Sequence, residues 1–310
     1  MRTWTEADVR AGVGVNDVIE SLTEVLAHEV AGTAWNLDKT MATWPTPDST
    51  AVSTASAHAL GAVDAESDLA IFKTWVNTPA GASALMTLFG ASDGRTLGVT
   101  EAGTAGSLRT SAISGVATRL LADPTADELA VLGAGRQAFM QVKAIAAVRD
   151  LRRVRLWNRT AAKAEELAEQ VRTELGLAAR AVSQLGDAIG DCPIVTLITR
   201  AREPFLDLAD LAEGAHLNAV GAILPGHAEF VPESLAVSAF TVVDSEPNAR
   251  RASRELREHF GEDWSTVHRL GELITGKVAR PEHPRLTVFK GMGMGLSDLA
   301  VARVLVRSIR

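Results

Sequence analysis

The chain has 310 residues, 46% of them hydrophobic and 22% charged, with a formal net charge of −7. That is the composition of an ordinary globular protein with room for two domains, and its acidity argues against a nonspecific nucleic-acid or anionic-membrane surface, which needs a basic footprint. No apolar run reaches the roughly 20 residues of a membrane span: the longest, "TVFKGMGMGLSDLAVARVLV", is interrupted by Lys290 and Asp298. The opening "MRTWTEADVRAG" lacks the apolar core of a secretory signal, so a cytoplasmic protein is expected. The single cysteine, Cys192, excludes an internal disulfide and reads as packing at a strand entry.

Asn16 is the expected N-cap of a first amphipathic helix, with Val18, Ile19, Leu22, Val25, Leu26 and Val30 at helical spacing. From about residue 50 to residue 100 the texture changes to strand-like segments, "AVSTASAH", "LAIFKTWVN", "ALMTLFG" and "SDGRTLGVTE". Asp93-Gly94 is placed as a hairpin turn, which suggests an antiparallel sheet. Within "LAIFKTWVN" the period of two puts Ile71, Lys73 and Trp75 on one face, so the Lys73 ammonium either snorkels outward or serves a pocket.

Beyond Ser111, short apolar strands ("ELAVLGA", "RVRLWNR", "ARAVS", "PIVTLIT", "AHLNAVGA", "AFTVVD") alternate with helical stretches, the signature of a parallel sheet covered on both faces. "LAVLGAGRQAFMQ" contains a GxGxxA pattern, Gly133-Ala134-Gly135-Arg136-Gln137-Ala138, between a buried strand and a helix. In that context the first glycine permits the turn, the second lets backbone approach a pyrophosphate, and the helix N-terminus faces the phosphates. The next strand would end in an acid if it held the ribose of NAD. Instead it ends at Asn158, Arg159 and Thr160, donors suited to a 2′-phosphate, so NADP(H) is preferred over NAD(H). Thr199, at the end of "VTLIT", lies by position under the nicotinamide side. His58, His216, His259, His268 and His283 show no metal-ligand spacing.

Five blocks in order, "LRTSA", "VLGAGRQA", "RLWNRT", "HLNAVGA" and "TVFKGMGM", resemble the ornithine cyclodeaminase/mu-crystallin family, from about Leu69 onward. The resemblance implies an α/β protein: a Rossmann doubly wound parallel sheet (113–285) inserted into an α+β substrate and dimerisation domain (1–112 with 286–310), paired as a homodimer. It implies Lys73 as the active-site lysine and Arg109 as a receptor for the substrate carboxylate. Arg109 is expected in the first turn of a helix, beside free N–H groups. The family's upstream arginine has only Lys39 as a counterpart here. The same blocks imply cofactor contacts at Val220, Gly221, Ile223, Lys290 and Gly291.

Cyclodeaminases of the family carry an aspartate where this chain has Ile223, in Gly221-Ala222-Ile223-Leu224-Pro225-Gly226. An isoleucine cannot exchange a proton, whereas hydride delivery to a protonated imine asks only for orientation and one proton source. Lys73 is the expected source, with His227 and Glu229 in reserve. The expectation is an NADPH-dependent reductase of an imino or amino acid carboxylate. A cyclodeaminase and a non-catalytic NADPH-binding protein are the alternatives.

Overall fold

The computed structural model describes residues 2–46 and 54–308. The chain divides into two compact units, Met1–Arg109 with Met294–Arg310, and Thr110–Gly293.

The first unit is built on a six-stranded sheet. Its strands are β1 (Arg2–Trp4), β2 (Ala34–Pro45), β3 (Thr54–Asp64), β4 (Leu69–Thr78), β5 (Gly81–Phe89) and β6 (Thr96–Glu101). The order is β1-β6-β5-β4-β3-β2, antiparallel throughout except for β1 against β6. The expected strand beginning at Ala51 is described from Thr54; its first residues lie outside the described part. Gly94, with φ +70°, sits in the turn between β5 and β6 where Asp93-Gly94 was expected.

Helices α1 (Glu6–Gly12) and α2 (Val15–Ala31) follow β1, and a closing helix spans Gly295–Arg307. The predicted cap Asn16 lies inside α2, whose N-cap is Gly14 without a side-chain bond. The apolar stripe of α2 is fully buried from Val18 to Leu26, and Ser21 Oγ donates to Ala300 O of the closing helix at 3.0 Å. The closing helix approaches β3 closely: a Cβ on Gly295 would lie 2.1 Å from Gly61 O. Only a glycine lets the helix lie that near the sheet, and one turn later it brings Asp298 over the same face.

The second unit holds an eight-stranded, all-parallel sheet. Its strands are β7 (Glu128–Leu132), β8 (Arg153–Trp157), β9 (Ala179–Ala181), β10 (Ile194–Leu197), β11 (Ala215–Ala219), β12 (Phe240–Val243), β13 (Val267–Arg269) and β14 (Leu286–Lys290). They run in the order β13-β12-β14-β11-β10-β7-β8-β9. The chain moves outward from β7 through β8 to β9, then returns to lay β10 on the other side of β7, which makes a topological switch point there.

Both faces are covered, as the continuous apolar strands require. Leu129 and Val131 of β7 pack with Val142 and Ile145, on one side, of α4 (Ala138–Ala146), and with Leu167 and Val171 of α5 (Ala161–Leu175). Ala130 and Leu132 face the opposite core with Val195, Leu217 and Phe230. The expected return to the first unit at residue 286 comes at 294 instead: Leu286–Lys290 is a wholly buried strand between β11 and β12 and cannot leave this sheet. Among the described residues no helix is long and apolar enough to cross a membrane.

Candidate functional site

Two groups of side chains carry chemistry, one in each unit. In the first, β4 alternates as its sequence demands, with Leu69, Ile71 and Lys73 buried and Phe72 and Thr74 exposed. Lys73 is 7% exposed. Its Nζ donates to Asp298 Oδ1 at 2.7 Å, and Asp298 is itself buried. Arg109 Nε lies 3.9 Å from the same oxygen. Asp298 Oδ2 and Arg109 Nε are buried and make no hydrogen bond among the described residues. Two cations thus surround one carboxylate, leaving one positive charge in excess and two polar atoms unused. The excess positive charge and the free Arg109 Nε–H favour an anion beside Arg109.

Arg109 reaches this place differently from the expectation. Helix α3 (Gly103–Leu121) starts six residues before it, so Arg109 sits in the second turn. The free N–H groups at the start of α3 are already taken: Gly103 N and Thr104 N both donate to the Glu6 carboxylate at 2.7 Å. The cations here are therefore side chains only, with no helix terminus beside them. Gly106, one turn before Arg109, lets α3 pass close to Lys73, since a Cβ there would stand 3.4 Å from Nζ.

Lys39 joins the group through an irregularity that pattern reading does not reveal. β2 slips by one residue against β3 between Leu37 and Thr40, and this bulge aims Lys39 at the Trp75 ring, 5.2 Å from Nζ to centroid. Lys73 Nζ lies 5.7 Å from the same ring, and His58 stacks on it at 4.7 Å. Burial, with the nearby Lys39 charge, pushes the His58 pKa down.

In the second unit, Gly133 follows β7 with φ +121°, and a Cβ there would meet Ile198 O at 2.7 Å, so both conformation and space require glycine. A Cβ on Gly135 would meet no protein atom within 4 Å. That glycine is not needed for packing, and its exposed backbone at the entry to α4 has the form of a phosphate cradle. Asn158 is committed to the turn: Oδ1 accepts from Ala134 N at 3.2 Å and Nδ2 donates to Thr160 O at 3.0 Å. Arg136, Arg159 and Thr160 are exposed and Gln137 is half-buried at the N-cap of α4.

Lys290 and Glu229 are enclosed rather than open to a ligand. Lys290 is 0% exposed, its Nζ donating to Glu255 Oε1 at 3.0 Å, so it is closed to a ligand. Glu229 is likewise buried, and its carboxylate accepts from Thr199 N, Thr199 Oγ1, Gly221 N and Ala222 N at 2.6–3.0 Å. Burial pushes its pKa up, against the pull of the Lys290 charge and of these donors. Four donors around one carboxyl describe an ionised group that is fully occupied. His227 is partly exposed, its pKa pushed down by burial and by the Arg202 and Arg200 charges. Val220 and Gly291 touch, a Cβ on Gly291 falling 2.9 Å from Val220 Cγ1, and Ile223 is 40% exposed. Cys192 is buried, and burial pushes its thiol up to about 12.

Sequence reasoning missed Asp298 as a partner of Lys73. The signal was an acid within an apolar helix, which served there only to exclude a membrane span.

The parallel sheet, its switch point and the glycine turn define a Rossmann-type α/β protein carrying a second, α+β unit. The chain belongs to the ornithine cyclodeaminase/mu-crystallin family, whose family model matches residues 60–310. It is 34% identical over 222 residues to the ketimine reductase mu-crystallin of Mus musculus, covering 71% of this chain and 68% of that protein. It is 34% identical over 203 residues to the Delta(1)-pyrroline-2-carboxylate reductase of Bacillus cereus, covering 64% of this chain and 62% of that protein. Its fold matches that of Thermococcus litoralis Delta(1)-pyrroline-2-carboxylate reductase, solved with NADH and L-proline, with a TM-score of 0.90 at 23% identity, over 99% of this chain and 97% of that one.

Proposed function

We propose that the protein is an NADPH-dependent oxidoreductase that reduces the C=N bond of an imino acid, with pyrroline-2-carboxylate as the type substrate. The observation that carries this is the Lys73–Asp298–Arg109 cluster, one positive charge in excess and with buried atoms still unpaired. A substrate carboxylate supplies the missing charge, and two cations fix its orientation better than one. The reductase activities of the mouse and Bacillus cereus relatives support the same chemistry.

Reduced nicotinamide supplies the hydride for the imine carbon. Lys73 Nζ carries the proton that the imine nitrogen needs, and Asp298 orients that ammonium. Arg109 and Lys39 hold the carboxylate, with the Trp75 ring as an apolar wall. Ile223 stands where cyclodeaminases keep an acid and offers no proton, which disfavours ring-forming deamination. The Gly133–Gln137 turn receives the pyrophosphate, Thr199 and Gly221 border the nicotinamide side, and Arg159 holds a 2′-phosphate. Arg159 is exposed and makes no hydrogen bond or ion pair among the described residues.

Two copies pair through the outer face of the six-stranded sheet. Trp35, Leu37, Trp44, Phe72, Val76 and Leu85 are each at least 40% exposed there, and so broad an apolar face marks an association surface. Phe72→Glu should yield monomers by light scattering; a wild-type monomer would rule the pairing out.

The test of function is direct. Protein, NADPH and pyrroline-2-carboxylate are mixed, and absorbance of the reduced cofactor is followed. Steady loss is expected. No turnover over a panel of cyclic and linear imino acids would overturn the proposal.

A further inference from the structure

Glu229 is fully enclosed, yet its carboxylate accepts four hydrogen bonds near the strand tips of the second unit. Oε1 accepts from Thr199 N at 2.6 Å and Thr199 Oγ1 at 2.7 Å, while Oε2 accepts from Gly221 N at 3.0 Å and Ala222 N at 2.9 Å. Thr199 lies two residues beyond β10 and Gly221 two residues beyond β11, and those strands are neighbours. A single carboxylate therefore ties together the C-terminal ends of two adjacent parallel strands. The two tips are pressed so close that a Cβ on Gly221 would fall 2.3 Å from Thr199 N.

The tie sits on one side of the switch point. Gly133, which opens the phosphate turn after β7, faces Thr199 Cγ2, so the joined tips border that turn. On the far side of β7 the turn is held by a different device, Asn158 at the tip of β8. A dinucleotide laid across a switch point puts its two halves over opposite sides. One half meets Arg159 and the β8 tip, and the other meets Thr199 and Gly221.

We infer that Glu229 is a positioning residue that shapes the seat for the nicotinamide half of the dinucleotide and leaves the seat for the adenosine half alone. The inference rests on the dinucleotide reading above. Glu229 does not touch the ligand, being 0% exposed. It acts by fixing the backbone of Thr199 and Gly221–Ala222, the kind of support without which a site is present but loose. The ionised form is essential, because all four partners donate. Glutamine has the same shape but offers one acceptor oxygen and turns an NH₂ group toward two of those donors. The Lys290 charge in the same interior offsets part of this carboxylate's charge; Lys290 is itself anchored on Glu255, which also accepts from Glu229 N at 3.1 Å.

The test compares two ligands on the full chain. NADPH and adenosine 2′,5′-bisphosphate, which lacks the nicotinamide half, are titrated calorimetrically into wild type and Glu229→Gln. The variant is expected to bind NADPH at least about tenfold more weakly and the bisphosphate within about twofold of wild type. KM for NADPH should rise while KM for the imino acid stays near its wild-type value. If Glu229→Gln fails to fold, Glu229→Asp keeps the charge, withdraws the carboxylate by one methylene and should show the same selective loss in milder form. Equal losses for both ligands would assign Glu229 a general structural role and overturn the inference, as would unchanged binding of both. A wild-type protein that binds neither ligand would instead sink the dinucleotide reading, and the inference with it.

Discussion

The two units bury charge in opposite ways. In the first, Lys73 and Arg109 surround Asp298, a net positive cluster with Asp298 Oδ2 and Arg109 Nε unpaired. In the second, Lys290 pairs with Glu255, which also accepts from Glu229 N, a net negative group in which both carboxylates and the ammonium are hydrogen-bonded. Buried ions are costly unless every partner is supplied. The two clusters differ in the sign of their excess charge and in whether their buried atoms are all paired.

Removing the lysine from each cluster tests that distinction most strongly. Lys73→Met should lower kcat/KM about a thousandfold, or about 4 kcal/mol of barrier. Its stability cost should be smaller than that of the corresponding change in the second unit, because Asp298 keeps the Arg109 charge beside it. Lys290→Met leaves the Glu255 carboxylate buried without its cation and should destabilise the fold by about 3–5 kcal/mol, read as a fall in the urea midpoint. Equal stability losses in the two variants would erase the contrast.

A smaller effect belongs to the exposed strand tip. Arg159→Ala should weaken NADPH about tenfold and leave NADH nearly unchanged, since only the 2′-phosphate loses its partner. If both cofactors weaken alike, Arg159 does not discriminate between them.

A further test is a pH slope on the second unit. His216 is fully buried between Thr287 and Asn218, and burial pushes its pKa down to about 3 from an ordinary 6.5. Between those values the unfolded chain binds a proton that the folded chain refuses, so stability falls as pH falls through that window. The contribution approaches about 1.4 kcal/mol per pH unit. Urea midpoints between pH 4.5 and 6.5 should show this slope in wild type and a shallower one in His216→Gln. An unchanged slope would remove His216 as its source.

Much of this organisation was legible beforehand, for identifiable reasons. The parallel sheet announced itself because strands buried on both faces must be continuously apolar, and the glycine turn because its first glycine needs a positive φ. Lys73 was visible through simple alternation in β4. The N-terminal strand β2 was not, because the bulge between Leu37 and Thr40 breaks the period on which strand recognition depends. Asp298 and Glu229 were hidden differently: their partners are distant in sequence or backbone groups, and neither leaves a local pattern. The start of α3 was misplaced because its cap comes from Glu6, 97 positions before Gly103.

The closing helix has a consequence for how the protein is made. Asp298 meets Lys73 across 225 positions of chain, with the whole parallel-sheet unit threaded between them. A ribosome therefore delivers the lysine well before its counter-ion. Until the segment bearing Asp298 emerges, the inner face of the early sheet has neither this helical cover nor this carboxylate, so the Lys73–Asp298 pair forms only after the inserted unit has been synthesised.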